Sequence, residues 1–180
     1  MNYTQILTIS SLLLSSTCFA VEVALIKVFK SDGSILQLEK NGLYAHSAIK
    51  VKKGWLHAHP TRGVEIVKNF NDMGFAKVEV DIFVSSKIKN VPSSFLKKYL
   101  GLPYDRTFSW TDDSLYCSEL VAKALKIKPT PMKFDSSIWN DNYTSSRGNL
   151  GLSPDDLVPL LKKRGFVAIK CVDIFLKANK

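Results

Sequence analysis

The chain has 180 residues and a formal net charge of +9, with 46% hydrophobic and 23% charged residues. These are ordinary globular proportions that exclude a disordered chain, and the length suits one domain with one core. The basic residues are dispersed, in small clusters at Lys50-Lys52-Lys53, Lys97-Lys98 and Lys162-Lys163-Arg164. No arginine-rich arm, RNA-stacking motif or helix-turn-helix pattern accompanies them, so nucleic acid is not the expected partner; anionic cell-wall polymers or lipid headgroups suit a basic surface better.

Residues 6–19 are apolar and hydroxyl-rich, and no charged side chain precedes Glu22. This run is shorter than the roughly 20 apolar residues of a membrane span, and small residues lead up to Ala20. Residues 1–20 therefore read as a removable signal peptide, although its first five residues lack Lys and Arg. Cys18 does not read as a lipid-attachment site, because Ser15 stands where a leucine would be wanted. The expected product is residues 21–180, one secreted or periplasmic domain with no membrane span.

Residues 21–29 read as a buried strand ending at Ser31-Asp32-Gly33, and residues 35–38 as a short return strand. Residues 43–51, the turn Lys52-Lys53-Gly54 and residues 55–58 form a hairpin with His46 and His57 on adjacent strands. Residues 63–67 and 75–84 extend the sheet; in the latter Val78, Val80, Ile82 and Val84 alternate with Lys77, Glu79, Asp81 and Phe83. The second half turns helical. Residues 92–100 start at Pro92, carry Phe95, Tyr99 and Leu100 on one face, and stop at Gly101 and Pro103. A helix opening near Cys117, with Asp112 or Asp113 as its cap, buries Leu120, Val121, Ala124 and Leu125 before Pro129 and Pro131. A looser stretch, 135–151, holds Trp139 and Tyr143. Ser153-Pro154-Asp155-Asp156 is a helix start with a hydroxyl cap, a first-turn proline and acids over the first turn; Leu157, Leu160 and Leu161 face inward before Arg164-Gly165 closes it. Residues 166–175 end the chain as a strand, giving an α+β fold.

All three histidines, His46, His57 and His59, precede Cys117. A papain-like thiol site needs a thiolate, an imidazole and a polar group that orients it, ordinarily with the cysteine first in the chain. A thiol hydrolase on this chain is therefore circularly permuted. Cys117 at a helix start would feel the positive end of the helix dipole, which lowers a thiol pKa. His46 on a strand is a rigid mount for a base, and His57 on the next strand could fix its tautomer. A lone buried cysteine or strand histidine is ordinarily packing; it is the combination that points to chemistry. Cys171 alternates within a strand and reads as a small core residue rather than a disulfide partner. No Cys/His spacing resembles a zinc site, and neither metal nor cofactor is expected.

Leu100-Gly101-Leu102-Pro103-Tyr104-Asp105 followed by Tyr116-Cys117-Ser118-Glu119-Leu120-Val121 resembles the nucleophile segment of the NlpC-type papain-like superfamily. Tyr44-Ala45-His46-Ser47-Ala48-Ile49 is similar to its histidine strand, with Ala48 where a glycine is usual. With the histidine first, the match is to the permuted branch, the YiiX/YaeF-like cysteine amidases and peptidases, and Ser153-Pro154-Asp155-Asp156-Leu157 resembles that branch's downstream helix. The resemblance implies a small antiparallel sheet or barrel carrying the histidine, packed against helices with the nucleophile at a helix N-terminus. It implies Cys117 as nucleophile, His46 as general base and His57 as orienting residue, with His59 competing for the third role. Tyr104, Tyr116, Ser118 and His59 become candidate substrate or oxyanion contacts, beside the Cys117 backbone amide. The implied reaction is cleavage of a peptide or acyl-amide substrate through an acyl-thioester, plausibly in cell-wall peptides. The alternatives are a lipid acyl hydrolase or acyltransferase on the same residues, and a non-catalytic binding protein on the same fold.

Overall fold

The computed structural model describes residues 21–88, 90–135, 137–139 and 146–175, with residues 170–175 described by backbone alone. The expected signal segment, Cys18, Tyr143 and the side chain of Cys171 lie outside the described residues.

Val21–Val28 (β1), His46–Val51 (β2), Gly54–His59 (β3), Gly63–Val67 (β4), Lys77–Ser85 (β5) and Val167–Phe175 (β8) form one sheet in the order β4-β3-β2-β1-β5-β8, every neighbouring pair antiparallel. Strand side chains alternate between faces, and here both faces are covered. Val23, Leu25, Ile49, Val51, Leu56 and Ala58 face a helical layer, where they meet Leu120, Val121 and Ala122 of Cys117–Ala124 (α2) and Leu157 and Leu161 of Pro154–Lys163 (α3). Ala24, Ile26, Ala48, Trp55, Val78 and Val80 face the other way, with Met73 of the short turn Phe70–Met73 and with Phe70 and Phe75. Burial on both sides explains why β1 is apolar at nearly every position; each fully buried aliphatic side chain contributes about 1.5–3 kcal/mol.

The α+β architecture agrees with the sequence, and so do the hairpin carrying both histidines and the cap of α3, where Ser153 Oγ accepts from the Asp156 amide at 3.0 Å. Three local expectations fail. Residues 35–38 form no strand, only a single bridge from Phe29 to Ile35, because β2 and β5 already occupy both edges of β1. Ser93–Tyr99 (α1) ends before Leu100, which is 49% exposed; Phe95 and Tyr99 alone pack, their rings 4.6 Å apart. Neither Asp112 nor Asp113 caps α2, whose N-cap is Tyr116. Asp112 instead accepts from Lys98 at 2.6 Å, the Tyr99 hydroxyl at 2.8 Å and Lys123 at 2.9 Å, and these donors hold its carboxyl well below the usual range.

The two short strands Thr130–Pro131 (β6) and Leu150–Gly151 (β7) pair beyond α2 and return the chain to α3. The Gly101-Leu102-Pro103 stretch lies along β4: Gly101 donates to the Val64 carbonyl and Val64 to that of Leu102, both at 2.8 Å. Gly63, at φ +76°, is required there, since a Cβ would collide with the Leu102 carbonyl.

Candidate active site

The strand that opens with His46 is held at its start by α3. Asp155 accepts from the amides of Leu43 at 2.9 Å and Tyr44 at 3.2 Å, two residues before β2 begins. His46 and His57 then meet side by side, His46 Nε2 lying 2.9 Å from His57 Nδ1 with the rings edge to face. Both are buried, His46 also against Phe75.

The contacts continue past the histidines. Glu65 stands directly opposite His57 in the β3–β4 register, its Oε1 3.1 Å from His57 Nε2, an approach whose angle falls short of a well-formed hydrogen bond. Arg62 donates to the same oxygen through Nε at 2.8 Å, with its terminal nitrogen 2.6 Å away. Sequence reasoning placed Glu65 on a strand but gave it no role; only the β3–β4 pairing reveals it.

Burial lowers the His46 pKa well below the usual histidine value, and His57 and His59 lower it further. Burial also brings His57 down to about 4, although Glu65 opposes that shift. Both rings are therefore neutral at pH 7, the state a proton acceptor needs.

Cys117 opens α2 and is 3% exposed. Burial pushes its thiol pKa up, and polar groups of Ser47 and Ser118 offset part of the rise. This corrects the expectation of a lowered thiol: desolvation of the thiolate outweighs the helix start. Ser47 immediately follows His46, so the sulfur lies beside the backbone next to His46. Among the described residues no hydrogen bond joins the thiol to an imidazole. Alternation along β2 accounts for this, because Ser47 shares the helical face with Ile49 whereas His46 shares the other face with Ala48.

The remaining candidates divide. Tyr104 and Tyr116 line a cavity beside Cys117 together with Phe108, Met132, Phe134 and Trp139 and with the charged residues Glu39, Lys133 and Asp156. Phe108 takes φ +52°, a strained conformation for an aromatic residue, and its ring lies 5.3 Å from Tyr116. Asp105, from the Pro-Tyr-Asp stretch, builds the loop behind Tyr104 by accepting from the amides and hydroxyls of Thr107 and Ser109 at 2.6–2.9 Å. The Tyr116 hydroxyl accepts from the Leu152 amide at 3.1 Å, and Ser118 Oγ donates to the Leu152 carbonyl at 2.6 Å. Both hydroxyls thus tie α2 to the segment entering α3. His59 Nδ1 accepts from the amides of Thr61 and Arg62, so this ring shapes the β3–β4 turn.

A histidine pair on an antiparallel sheet, set before a helix-borne cysteine in chain order, defines a circularly permuted papain-like thiol-hydrolase fold. The chain belongs to the permuted papain-like amidase family YaeF/YiiX, C92, whose pattern matches residues 41–158. It is 32% identical over 113 residues to the uncharacterised protein YiiX of Escherichia coli strain K12, covering 61% of this chain and 50% of that one; the chain spans about half the length of this relative. The crystal structure of metalloprotein yiiX from Escherichia coli O157:H7 is similar in fold, with a TM-score of 0.51 at 18% identity over 87% of this chain and 96% of that one. In this chain no group of three or more His, Cys, Asp or Glu among the described residues could hold a metal ion. The His57 nitrogens face His46 and Glu65, and His59 Nδ1 is taken by its turn, so the histidine cluster does not fit a metal.

Proposed function

We propose that the chain is an exported cysteine amidase or peptidase with Cys117 as nucleophile, His46 as general base and His57 as the residue that orients it. The observation carrying this reading is the meeting of the Cys117 sulfur with the residue next to His46, while His46 Nε2 is already engaged by His57. In this reading His46 Nδ1, the ring nitrogen nearer the backbone, is the one left to take the thiol proton, and ring and sulfur must approach for the transfer because no hydrogen bond joins them at rest. As sulfur attacks the scissile carbonyl, its proton passes to His46 Nδ1 and the carbonyl oxygen becomes an oxyanion. First-turn amides of α2 have no helical carbonyl partner, so the Cys117 amide is placed to donate to that oxyanion. Collapse expels the amine, which takes the proton from His46 and leaves an acyl-thioester. Water, deprotonated by the same imidazole, releases the acid and restores the thiol.

The cavity bears on substrate class. It offers about 40 Å³ to the centres of water molecules, where one water needs roughly 10–15 Å³. It therefore takes a short group, and a lining that mixes aromatic rings with Glu39, Lys133 and Asp156 suits a peptide better than a long acyl chain. This favours peptide or short acyl-amide substrates, such as cell-wall peptides, over the lipid acyl reading. The charge-free segment 6–19 supports export, and among the described residues no helix is long and apolar enough to cross a membrane.

The test is acylation by p-nitrophenyl acetate, butyrate and palmitate, followed by intact mass and peptide mapping. Acetyl or butyryl adducts on Cys117, absent in Cys117→Ala, are expected. Preferential palmitoylation would favour the lipid reading, and no adduct from any donor would overturn the enzymatic one.

A further inference from the structure

We infer that Glu65, clamped by Arg62, is a positioning residue that sets the proton arrangement of the whole histidine pair. The last link of the argument, the proton transfer from Cys117, rests on the proposed Cys-His reading; the arrangement itself does not.

An ionised carboxylate only accepts, and an arginine only donates. Partial burial pushes the Glu65 carboxyl up, but the hydrogen bond and charge of Arg62 outweigh it and keep Glu65 ionised below the ordinary range. With an anionic oxygen 3.1 Å from His57 Nε2, that nitrogen must carry the proton, since a lone pair there would face a negative charge. His57 is neutral at pH 7, so its Nδ1 is then a bare acceptor. Across the 2.9 Å contact, His46 must donate from Nε2. A neutral His46 protonated at Nε2 has its lone pair on Nδ1, the tautomer a base toward the thiol requires. The reverse arrangement would place a proton on His46 Nδ1 and disable it.

The fold supports this assignment. Glu65 is held opposite His57 by the β3–β4 register. The Arg62 terminal nitrogen that lies against Glu65, Nη2, also donates to the Asp72 carbonyl at 3.0 Å, which holds the guanidinium in place against the carboxylate. His59, whose ring centroid lies 6.1 Å from that of His57, is the other titratable group nearby, and its Nδ1 is committed to the turn. Because His57 in the third position carries no charge of its own at pH 7, Glu65 supplies the anion that stabilises the imidazolium formed on His46 during attack. A partner of this kind typically changes activity by about 10–100-fold.

Ring ¹⁵N spectra of histidine-labelled protein at pH 7.5 test the inference in wild type, Glu65→Ala and Glu65→Gln. Wild type should show His46 and His57 both protonated at Nε2. Glu65→Gln should keep that pattern, because the donor-only Arg62 selects the amide oxygen and presents it to His57. Glu65→Ala should give mixed tautomers, with Cys117 butyrylation slowed about 10–100-fold and partly recovered in Glu65→Gln. A wild-type His46 protonated at Nδ1, or unchanged tautomers in Glu65→Ala, would overturn the inference. If wild-type Cys117 is not acylated at all, the enzymatic reading fails while the tautomer result still decides this one.

Discussion

Alkylation of Cys117 by iodoacetamide between pH 6 and 10 measures whether the proposed dyad rests as thiol and imidazole or as thiolate and imidazolium. An ordinary thiol with a pKa near 8.5 is about 3% ionised at pH 7. Burial places Cys117 above its ordinary value, so its ionised fraction at pH 7 is smaller still. Burial also works against the imidazolium, since His46 is shifted well below its usual value. Neither half of an ion pair is therefore stable in the resting site, and the proton moves only as sulfur attacks. Labelling should rise about tenfold per pH unit from pH 6, with no plateau below about 8.5. His46→Ala should leave that profile nearly unchanged while reducing turnover of acyl donors by about 10²–10⁴, the usual contribution of a positioned base. A plateau reached below pH 7 in wild type and lost in His46→Ala would refute this reasoning and establish a preformed ion pair.

Ser118→Ala removes the donor to the buried Leu152 carbonyl and should cost about 1–3 kcal/mol in urea unfolding; a loss of Cys117 acylation without a loss of stability would instead make that hydroxyl part of the chemistry. Burial raises the Glu119 carboxyl to about 7 from its ordinary 4.5, even with Lys123 at 2.8 Å. The folded chain then binds more protons than the unfolded chain between those values, so stability from this group is lost as pH rises through that window. At 1.36 kcal/mol per pKa unit, wild type should lose up to about 3 kcal/mol relative to Glu119→Gln between pH 4.5 and 7.5, and parallel stability curves would contradict the shift.

What the sequence showed and hid follows from the range of each interaction. The His46–His57 meeting was legible because a two-residue turn, Lys52-Lys53, leaves their strands little choice of neighbour. The helix at Ser153 was legible because its cap is made within four residues. Glu65 was not, since in one sequence it is simply an exposed-face residue of a short strand, and its role appears only once β4 is registered against β3. Asp112 looked like a cap by its distance from Cys117, but its carboxylate is taken by Lys98 and Tyr99 of α1 and by Lys123 in the last turn of α2. Residues 35–38 had the composition of a strand, yet strand formation depends on an unoccupied edge, which no local pattern reports.

The same contrast explains the work of the Ser153-Pro154-Asp155-Asp156 segment. Ser153 and Asp156 serve their own helix, whereas Asp155 reaches across the fold to the amides of Leu43 and Tyr44. In the permuted order, the helix downstream of Cys117 thereby fixes the entry to the strand that carries His46. His46 is the first residue of β2, and on its entry side the chain is held by the Ala45 amide donating to the Ile26 carbonyl at 2.9 Å and, at the two residues before that, by Asp155. Asp155→Ala should then cost about 1–3 kcal/mol for two lost hydrogen bonds to a carboxylate. Its more telling effect should be on His46: acylation of Cys117 falls while iodoacetamide labelling, which needs no base in the neutral site, keeps the wild-type profile. Equal loss of both would mean that Asp155 supports α3 and the cysteine rather than the base.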